Sequence, residues 1–287
     1  MIPTDRVSRR GFLRLAAAGA GMSLGGVGAY SYARQIEPWW FEVVHYELAL
    51  PGLPDPFAGL TIAQISDLHL GRFATASDIE PAVRATQALG ADVIALTGDF
   101  VSRVSVGEPE MLVQMLSRLS APQGVYAALG NHDWWENGPL VAESLRQAGI
   151  TVLQNQHVSL RRDGQSLFLA GIDDVWVGRH DLAAALSGVP SACKVVLLAH
   201  EPDFADLAAR DRRIVLQLSG HSHGGQVCIP GHGGLHFPPW AQKYRRGSYQ
   251  VGEMTLYVNR GLGMVTLPLR FACRPEVTLF TLQPADR

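Results

Sequence analysis

The chain contains few cysteines and few charged residues, and each shortage argues against a class of protein. Its 287 residues include three cysteines, which are far apart and form neither a CxxC motif nor a disulfide framework. We therefore expect Cys193, Cys228 and Cys273 to be small core residues, not ligands of a structural zinc or an iron–sulfur cluster. Charged residues make up 17% and hydrophobic residues 47% of the chain, which predicts a folded core. The formal net charge of −2 offers no basic surface, so we expect no nucleic-acid partner.

The first 33 residues differ in composition from the rest of the chain. Residues 8–14 contain a twin-arginine pair, and residues 15–33 carry no charge and are rich in alanine and glycine. This pattern is typical of a twin-arginine translocation signal, which would make the translocase a partner. The alternative is a retained membrane anchor, since 19 uncharged residues approach the length of a bilayer span. Both outcomes predict a protein in the periplasm, in the cell wall or on the outer face of the cytoplasmic membrane.

Strands and helices alternate over most of the remaining chain. Residues 34–59 predict a connector with one strand, and residues 60–287 predict a single domain. Short apolar runs predict buried strands at 60–65, 92–96, 125–129, 194–198 and 214–218, with helical spacing between most of them. A hairpin near 157–170 and strands near the end of the chain add antiparallel pairing. We therefore expect an α/β fold with two mixed sheets flanked by helices.

Five short clusters of metal-binding side chains follow these strands in a fixed order. The candidate ligands are Asp67, His69, Asp99, Asn131, His200, His221 and His223. Ligands at the carboxyl ends of neighbouring strands converge on one edge of a sheet. Oxygen and imidazole ligands without cysteine suit a pair of divalent ions that activate water.

The residue types predict which side chain bridges the two ions, which is a neutral ligand and which is catalytic. Two ions about 3.5–4 Å apart need a shared anionic ligand, and Asp99 is the best candidate for that bridge. Asn131 supplies a neutral oxygen, which keeps the site attractive to an anionic substrate. His132 is not needed as a ligand, so it is the candidate catalytic residue that protonates a leaving oxygen or stabilises phosphoryl charge.

In these motifs the chain resembles the calcineurin-like metallophosphoesterase superfamily. The matching blocks are Asp67-Leu68-His69, Gly98-Asp99, Gly130-Asn131-His132-Asp133, His200 and Gly220-His221-Ser222-His223. The leader, Gly224-Gly225-Gln226, Arg260-Gly261-Leu262-Gly263 and Leu267-Pro268-Leu269-Arg270 resemble its bacterial YkuE-like phosphodiesterase branch. The resemblance implies a four-layer α/β/β/α sandwich.

The resemblance also implies a distribution of ligands and a reaction. Asp67, His69, Asp99 and His223 would hold one ion, and Asp99, Asn131, His200 and His221 would hold the other. A hydroxide between the ions would attack phosphorus in line while His132 assists the leaving group. Many members of the family have an aspartate three residues after the bridging one, where it supports the catalytic histidine. Here Ser102 occupies that position, so the orientation of His132 must have another source.

The expected activity is hydrolysis of a phosphate ester, most of all a phosphodiester, with two ions drawn from Mn, Zn, Fe or Co. An alternative is hydrolysis of the pyrophosphate in a lipid-linked nucleotide such as UDP-diacylglucosamine. A more distant alternative is a non-catalytic metal-binding scaffold. Lipid and cell-wall phosphodiesters both remain candidate substrates, and the N-terminal segment is a candidate membrane contact.

Some residues outside these motifs are weaker candidates for substrate contact. Trp134 and Trp135 are candidates for a pocket wall, with core packing as the alternative. His232 and His236 are candidates for the rim, and the run 243–246 for a phosphate contact. Solvated loop residues are the alternative for both.

Overall fold

Two six-stranded sheets lie face to face in the computed structural model, which describes residues 25–102 and 108–285. The first sheet has, in spatial order, β1 (Glu42–Leu50), β14 (Glu276–Pro284), β2 (Thr61–Ile65), β3 (Val93–Thr97), β4 (Val125–Ala128) and β5 (Thr151–Val152). All neighbours run parallel except β14 and β2, which pair antiparallel with Phe280 opposite Ile62. The sheet is therefore mixed, as the sequence predicts.

The second sheet is antiparallel at both edges and parallel in the middle. Its spatial order is β12 (Gly247–Val251), β13 (Met254–Val258), β9 (Ile214–Ser219), β8 (Lys194–Leu198), β7 (Gln165–Gly171) and β6 (Gln156–Arg162). A small hairpin, β10 (Cys228–Ile229) with β11 (Gly233–Gly234), follows β9. The pattern of the sequence did not predict β12, which begins at a glycine and has few apolar residues, or this hairpin, whose strands have two residues each.

Helices cover the outer face of each sheet. They are α2 (Ala76–Ala88), α3 (Glu108–Leu116), α4 (Asn131–Gln147), α5 (Leu182–Ala185) and α6 (Ala205–Ala208). The described part of α1 (residues 25–35) precedes the first strand and is largely exposed. The predicted helix at 139–148 begins earlier, at Asn131, because the Asp133 carboxylate accepts a hydrogen bond from the Gly130 backbone N–H and caps the first turn. Pro139 is accommodated because the backbone leaves helical geometry at Asn137.

Three buried apolar layers hold the four layers of secondary structure together. Between the sheets lie Ile62, Val93, Leu198, Leu216 and Phe280. A second core joins the first sheet to α2, α3 and α4, and a third joins the second sheet to α5 and α6. Full burial of each such side chain contributes about 1.5–3 kcal/mol. The expected four-layer α/β/β/α sandwich is confirmed.

The amino-terminal prediction falls mostly outside the described residues. The twin-arginine pattern of residues 8–14 belongs to that part of the chain. Within residues 25–102 and 108–285, no helix combines the length and the apolar character that crossing a bilayer requires. Cys228 and Cys273 are buried as expected, whereas Cys193 is half-buried.

Candidate metal centre

Five loops at the carboxyl ends of strands bring all eight predicted site residues together. β2 leads to Asp67 and His69, β3 to Asp99, β4 to Asn131 and His132, β8 to His200, and β9 to His221 and His223. The seven predicted ligands are at most 3% exposed, and His132 is half-buried. The two sheets therefore each supply part of one buried cluster at a common edge.

Two groups of ligand atoms lie on either side of Asp99, and a third group joins Asp99 to His69 and His132. In the first group, His223 Nε2 lies 3.0 Å from His69 Nε2 and 3.4 Å from Asp67 Oδ1. In the second, His200 Nε2 lies 3.2 Å from Asp99 Oδ2 and 3.2 Å from His221 Nδ1. Asp99 Oδ2 also lies 3.5 Å from His69 Nε2, so one carboxylate oxygen faces both groups.

This arrangement fits divalent cations. His69 Nε2 faces His223 Nε2 at 3.0 Å and His200 Nε2 faces His221 Nδ1 at 3.2 Å, so nitrogen lone pairs converge where a cation can bind them. Asn131 Oδ1 is buried and meets no hydrogen-bond donor among the described residues, which suits a neutral oxygen ligand. The two groups fit the ligand sets that the family resemblance implies, with Asp99 shared between them.

Hydrogen bonds to the far side of the rings determine which nitrogen of each histidine faces the cluster. His200 Nδ1 lies 2.6 Å from the Thr97 carbonyl, and His221 Nε2 lies 2.8 Å from the Pro239 carbonyl. A carbonyl can only accept, so these nitrogens carry the proton and donate it. His221 Nδ1 is left with a lone pair for a metal ion, and His200 Nε2 offers one once it releases its proton.

Burial and mutual charge shift the pKa values of the cluster. Burial lowers the pKa of His69 to about 3 and that of His221 to about 4, so both rings are neutral at physiological pH. Burial raises the pKa of Asp67 to about 7. Burial alone would also raise the pKa of Asp99, but His200 outweighs it and holds this pKa well below its ordinary value. Asp99 in turn raises the pKa of His200, against the effect of burial.

The backbone of the site is held in an unusual conformation. Asp67, His69, Asp99, His221 and His223 all have φ between 48° and 68°, the left-handed region that costs non-glycine residues of order 1–3 kcal/mol each. Backbone hydrogen bonds between loops hold it, including those from Asp67 N to Gly98 O and from His69 N to Asp99 O. The directions of the ligands are therefore set by the fold before any ion binds.

Two glycines in the motifs are required by the close approach of the loops. A Cβ on Gly130 would meet the Asp99 carboxylate and would lie 2.8 Å from His200 Nε2. A Cβ on Gly220 would collide with the side chains of Ser66 and Asp67. Any larger residue at either position would displace a ligand side chain.

Comparison with known proteins agrees with this geometry. A family model described as calcineurin-like phosphoesterase matches residues 60–225. The chain belongs to the calcineurin-like phosphoesterase family. It is accordingly a phosphoric ester hydrolase that uses divalent metal ions, and the family predicted from the motifs is confirmed.

Several relatives match this phosphoesterase over nearly their whole length. The metallophosphoesterase YkuE of Bacillus subtilis is 38% identical, with 98% of this chain and 99% of YkuE covered. The phosphodiesterase YaeI of Escherichia coli is 34% identical, with coverage of 96% and 99%. The UDP-2,3-diacylglucosamine pyrophosphatase LpxG of Chlamydia trachomatis is 28% identical, with coverage of 86% and 91%.

A solved structure agrees with the fold alone. The sulfate thiohydrolase SoxB of Thermus thermophilus matches with a TM-score of 0.50 at 14% identity. The match covers 80% of this phosphoesterase and 57% of the SoxB chain. At this level of identity the likeness concerns architecture and not substrate.

Buried carboxylates that the sequence analysis did not single out support the ligands. The Asp133 carboxylate accepts backbone hydrogen bonds from Asp99, Phe100, Val101 and Gly130 at 2.8–3.3 Å. It thereby joins the loop after β3 to the start of α4. The only available signal was its place as the last residue of the Gly130–Asp133 block.

A second buried acid, Glu201, follows the ligand His200. Its Oε2 accepts a hydrogen bond from Val175 N at 3.1 Å. Burial, and then a hydrogen bond with Asp174, raise the pKa of Glu201 well above its ordinary value. The bond from Val175 N links the His200 loop to the segment that carries Trp176.

The structure accounts for the orientation of His132 and for the role of Ser102. Ser102 Oγ lies 2.6 Å from His69 Nδ1, so the serine supports a ligand histidine. The His132 ring packs edge-on between His69 and Trp135, with ring centroids 4.7 Å from each. Its backbone N–H donates to Asp99 Oδ1 at 2.8 Å. Aromatic packing and this backbone bond therefore orient His132.

A cavity of about 550 Å³ opens over the cluster. Its lining includes some of the weaker candidates for substrate contact and not others. Trp135 and His236 line it. Trp134 instead donates from Nε1 to Asp173 Oδ1 at 2.8 Å. Lys243 forms an ion pair with Asp206 at 2.7 Å, and neither His232 nor the run 243–246 belongs to the described residues that line the cavity.

Proposed function

We propose that the chain is a two-metal phosphodiesterase that acts outside the cytoplasm. The observation that carries the reaction class is a buried cluster in which Asp99 faces both His69 and His200, with His132 beside it and a cavity above. The name of the relative YaeI supports the preference for a diester. Mixed oxygen and nitrogen ligands suit Mn, Zn, Fe or Co, and availability decides among them.

The metal ligands, Asp99 and His132 each have a role in the proposed hydrolysis of a diester. When bound, a pair of divalent ions supplies Lewis-acid activation of water and of the phosphoryl oxygens. The buried ligands exclude bulk water from the floor of the cavity, and Asp99 holds its charge there as a carboxylate. His132, half-buried at the edge of the cluster, is placed to give a proton to the departing oxygen.

The reaction class is tested by turnover of a generic diester. We would load the purified full chain with Mn and compare bis(p-nitrophenyl) phosphate with p-nitrophenyl phosphate. We expect faster turnover of the diester and a loss of at least about 10³-fold in Asp99→Asn, because the shared ligand loses its charge. The matched control is Asp163→Asn, an exposed turn aspartate that also has positive φ.

Each outcome of this comparison is informative. Full metal content without turnover of any ester would favour the scaffold alternative. Faster turnover of a nucleoside diphosphate ester than of the diester would favour a pyrophosphate hydrolase, the activity in the name of the relative LpxG.

Export is the second part of the proposal, and the composition of residues 1–33 supports it. The twin-arginine translocase would be the partner, and the segment would then be cleaved or kept as an anchor. Replacing both Arg9 and Arg10 by lysine should leave the enzyme in the cytoplasm, whereas Arg34→Lys should not. Activity in fractionated cells measures the difference, and unchanged export of the double variant would contradict this part.

A further inference from the structure

The cavity over the metal centre has an apolar wall that hydrolysis of a small phosphate ester does not require. The wall consists of Trp135, Trp176, Leu235, Val265, Leu267 and Leu269. Leu235 is 61% exposed, Leu267 50% and Trp135 49%. Large apolar side chains left in contact with water around a catalytic cavity mark a surface that a ligand covers.

Apart from His236 and Thr266, few polar groups in the cavity outside the metal cluster are free to recognise the second ester group of a substrate. Among the described residues that line it, Arg72 is the one side chain with a permanent positive charge. Gln226 is engaged elsewhere, since its Nε2 donates to the carbonyls of Val265, Leu267 and Leu269 at 2.9–3.1 Å. Its Oε1 accepts from Val265 N at 2.8 Å. Gln226 therefore shapes the apolar wall and offers little to a ligand.

The same wall is adjacent to the point where the amino-terminal segment joins the domain. Arg270 N donates to Ala33 O at 2.8 Å, and the rings of Tyr32 and Phe271 meet edge-on with centroids 6.4 Å apart. The last residues of the candidate anchor, Tyr32 and Ala33, thus contact Arg270 and Phe271, which directly follow Leu269. If that anchor is in a bilayer, the apolar wall is held on the part of the domain next to the lipid.

We propose that the substrate is a membrane phosphodiester with an alkyl or acyl group, an inference that rests on the proposed phosphodiesterase function. The phosphate lies at the metal centre near Arg72, and the apolar group lies along Leu235, Leu267 and Trp176. Water adds to phosphorus and forms one new P–O bond while the P–O bond to the leaving alcohol breaks. The leaving oxygen takes a proton, so one diester and one water give one monoester and one alcohol.

A series of chromogenic diesters tests the apolar wall. We would measure kcat/KM of the Mn-loaded full chain for methyl, butyl and octyl p-nitrophenyl phosphate, each below its micelle concentration. Each methylene that leaves water contributes roughly threefold to fourfold to kcat/KM. We expect an increase of at least about 30-fold from methyl to octyl, largely through KM, because the chain binds equally in ground and transition states.

Two substitutions locate the effect in the wall. Leu235→Ser and Leu267→Ser should each reduce the octyl-to-methyl ratio of kcat/KM by about tenfold, because a polar hydroxyl replaces apolar surface. Leu207→Ser, which replaces a 38% exposed leucine of α6, is the matched control and should keep both the ratio and the basal rate.

The failure of this inference differs from a failure of the proposed function. If none of the diesters is hydrolysed by the metal-loaded protein, the phosphodiesterase function is wrong. If all three are hydrolysed with equal kcat/KM, the function stands and the lipid inference is overturned. Faster turnover of thymidine 5′-(p-nitrophenyl phosphate) than of the octyl ester would also overturn it, since the tryptophans would then serve a base.

Discussion

Replacement of Ser102 by alanine should weaken metal binding without abolishing catalysis. Ser102 Oγ lies 2.6 Å from His69 Nδ1, on the side of the ring that faces away from the ligand cluster. If His69 Nε2 binds an ion, Nδ1 carries the proton and donates it to the serine oxygen. The alanine variant removes this acceptor and leaves a buried N–H without its partner.

The size of the effect follows from the type of bond. Loss of a hydrogen bond to the second nitrogen of a ligand histidine typically reduces metal affinity 10–100-fold, about 1.4–2.8 kcal/mol. We expect a loss in this range for the ion held by Asp67, His69 and His223. At saturating Mn, kcat should fall less than about threefold, because His132 is oriented by packing against His69 and Trp135.

Titration calorimetry of the metal-free protein with Mn, with activation curves in parallel, would measure both quantities. Ser102→Thr keeps the hydroxyl and should restore affinity, and Ser187→Ala at an exposed serine is the matched control. Unchanged affinity in Ser102→Ala would refute the role assigned to this hydrogen bond. Normal affinity with a large loss of kcat would show that Ser102 acts on His132 instead.

Three further predictions concern the same cluster. His132→Gln should lower kcat about 10²–10⁴-fold with metal content unchanged, as expected for a general acid, and should lower it less for esters of acidic alcohols; equal losses across leaving groups would contradict this role. Gly130→Ala should lose metal binding, measured by metal analysis of the folded protein, because its Cβ displaces Asp99. Apparent Mn affinity should fall as the pH falls below about 7, because burial raises the pKa of Asp67 to about 7 and Asp99 raises that of His200, so protons compete with the ion. Calorimetry in two buffers of different ionisation enthalpy should detect at least one released proton, and affinity that stays constant between about pH 5.5 and 8 would exclude the competition.

Much of the fold could be predicted because buried parallel strands leave a strong pattern. The runs at 60–65, 92–96, 125–129, 194–198 and 214–218 are short, apolar and followed by polar residues, and all five are strands of the sandwich. The start of α4 was predicted too late, because the side chain of Asp133 caps it at Asn131 and periodicity carries no trace of a cap. The strands β10 and β11 were not predicted, because a strand of two residues is too short to show a periodic pattern.

The metal ligands could be proposed from the sequence, whereas their supports could not. Asp67, His69 and Asp99 lie in short motifs directly after strands, so topology alone brings them together. Glu201 and Asp133 act through backbone N–H groups of other loops, and sequence spacing does not reveal such partners. Ser102 was noticed only as a departure from the family pattern, and its bond to His69 required coordinates.

The contrast between the metal cluster and the apolar wall has a physical cause. The two rigid sheets fix the positions of the ligands at the strand ends. Substitutions beside these ligands would therefore disturb metal binding. The wall lies in irregular segments around Leu235 and Leu267. The second segment is held by one side chain, Gln226, which bonds to the backbone carbonyls of Val265, Leu267 and Leu269. Such loops can change their side chains without disturbing the cluster. In such an arrangement the reaction class depends on the strand ends and the choice of substrate on the loops, and relatives of this chain bear the names of a phosphodiesterase and of a UDP-2,3-diacylglucosamine pyrophosphatase.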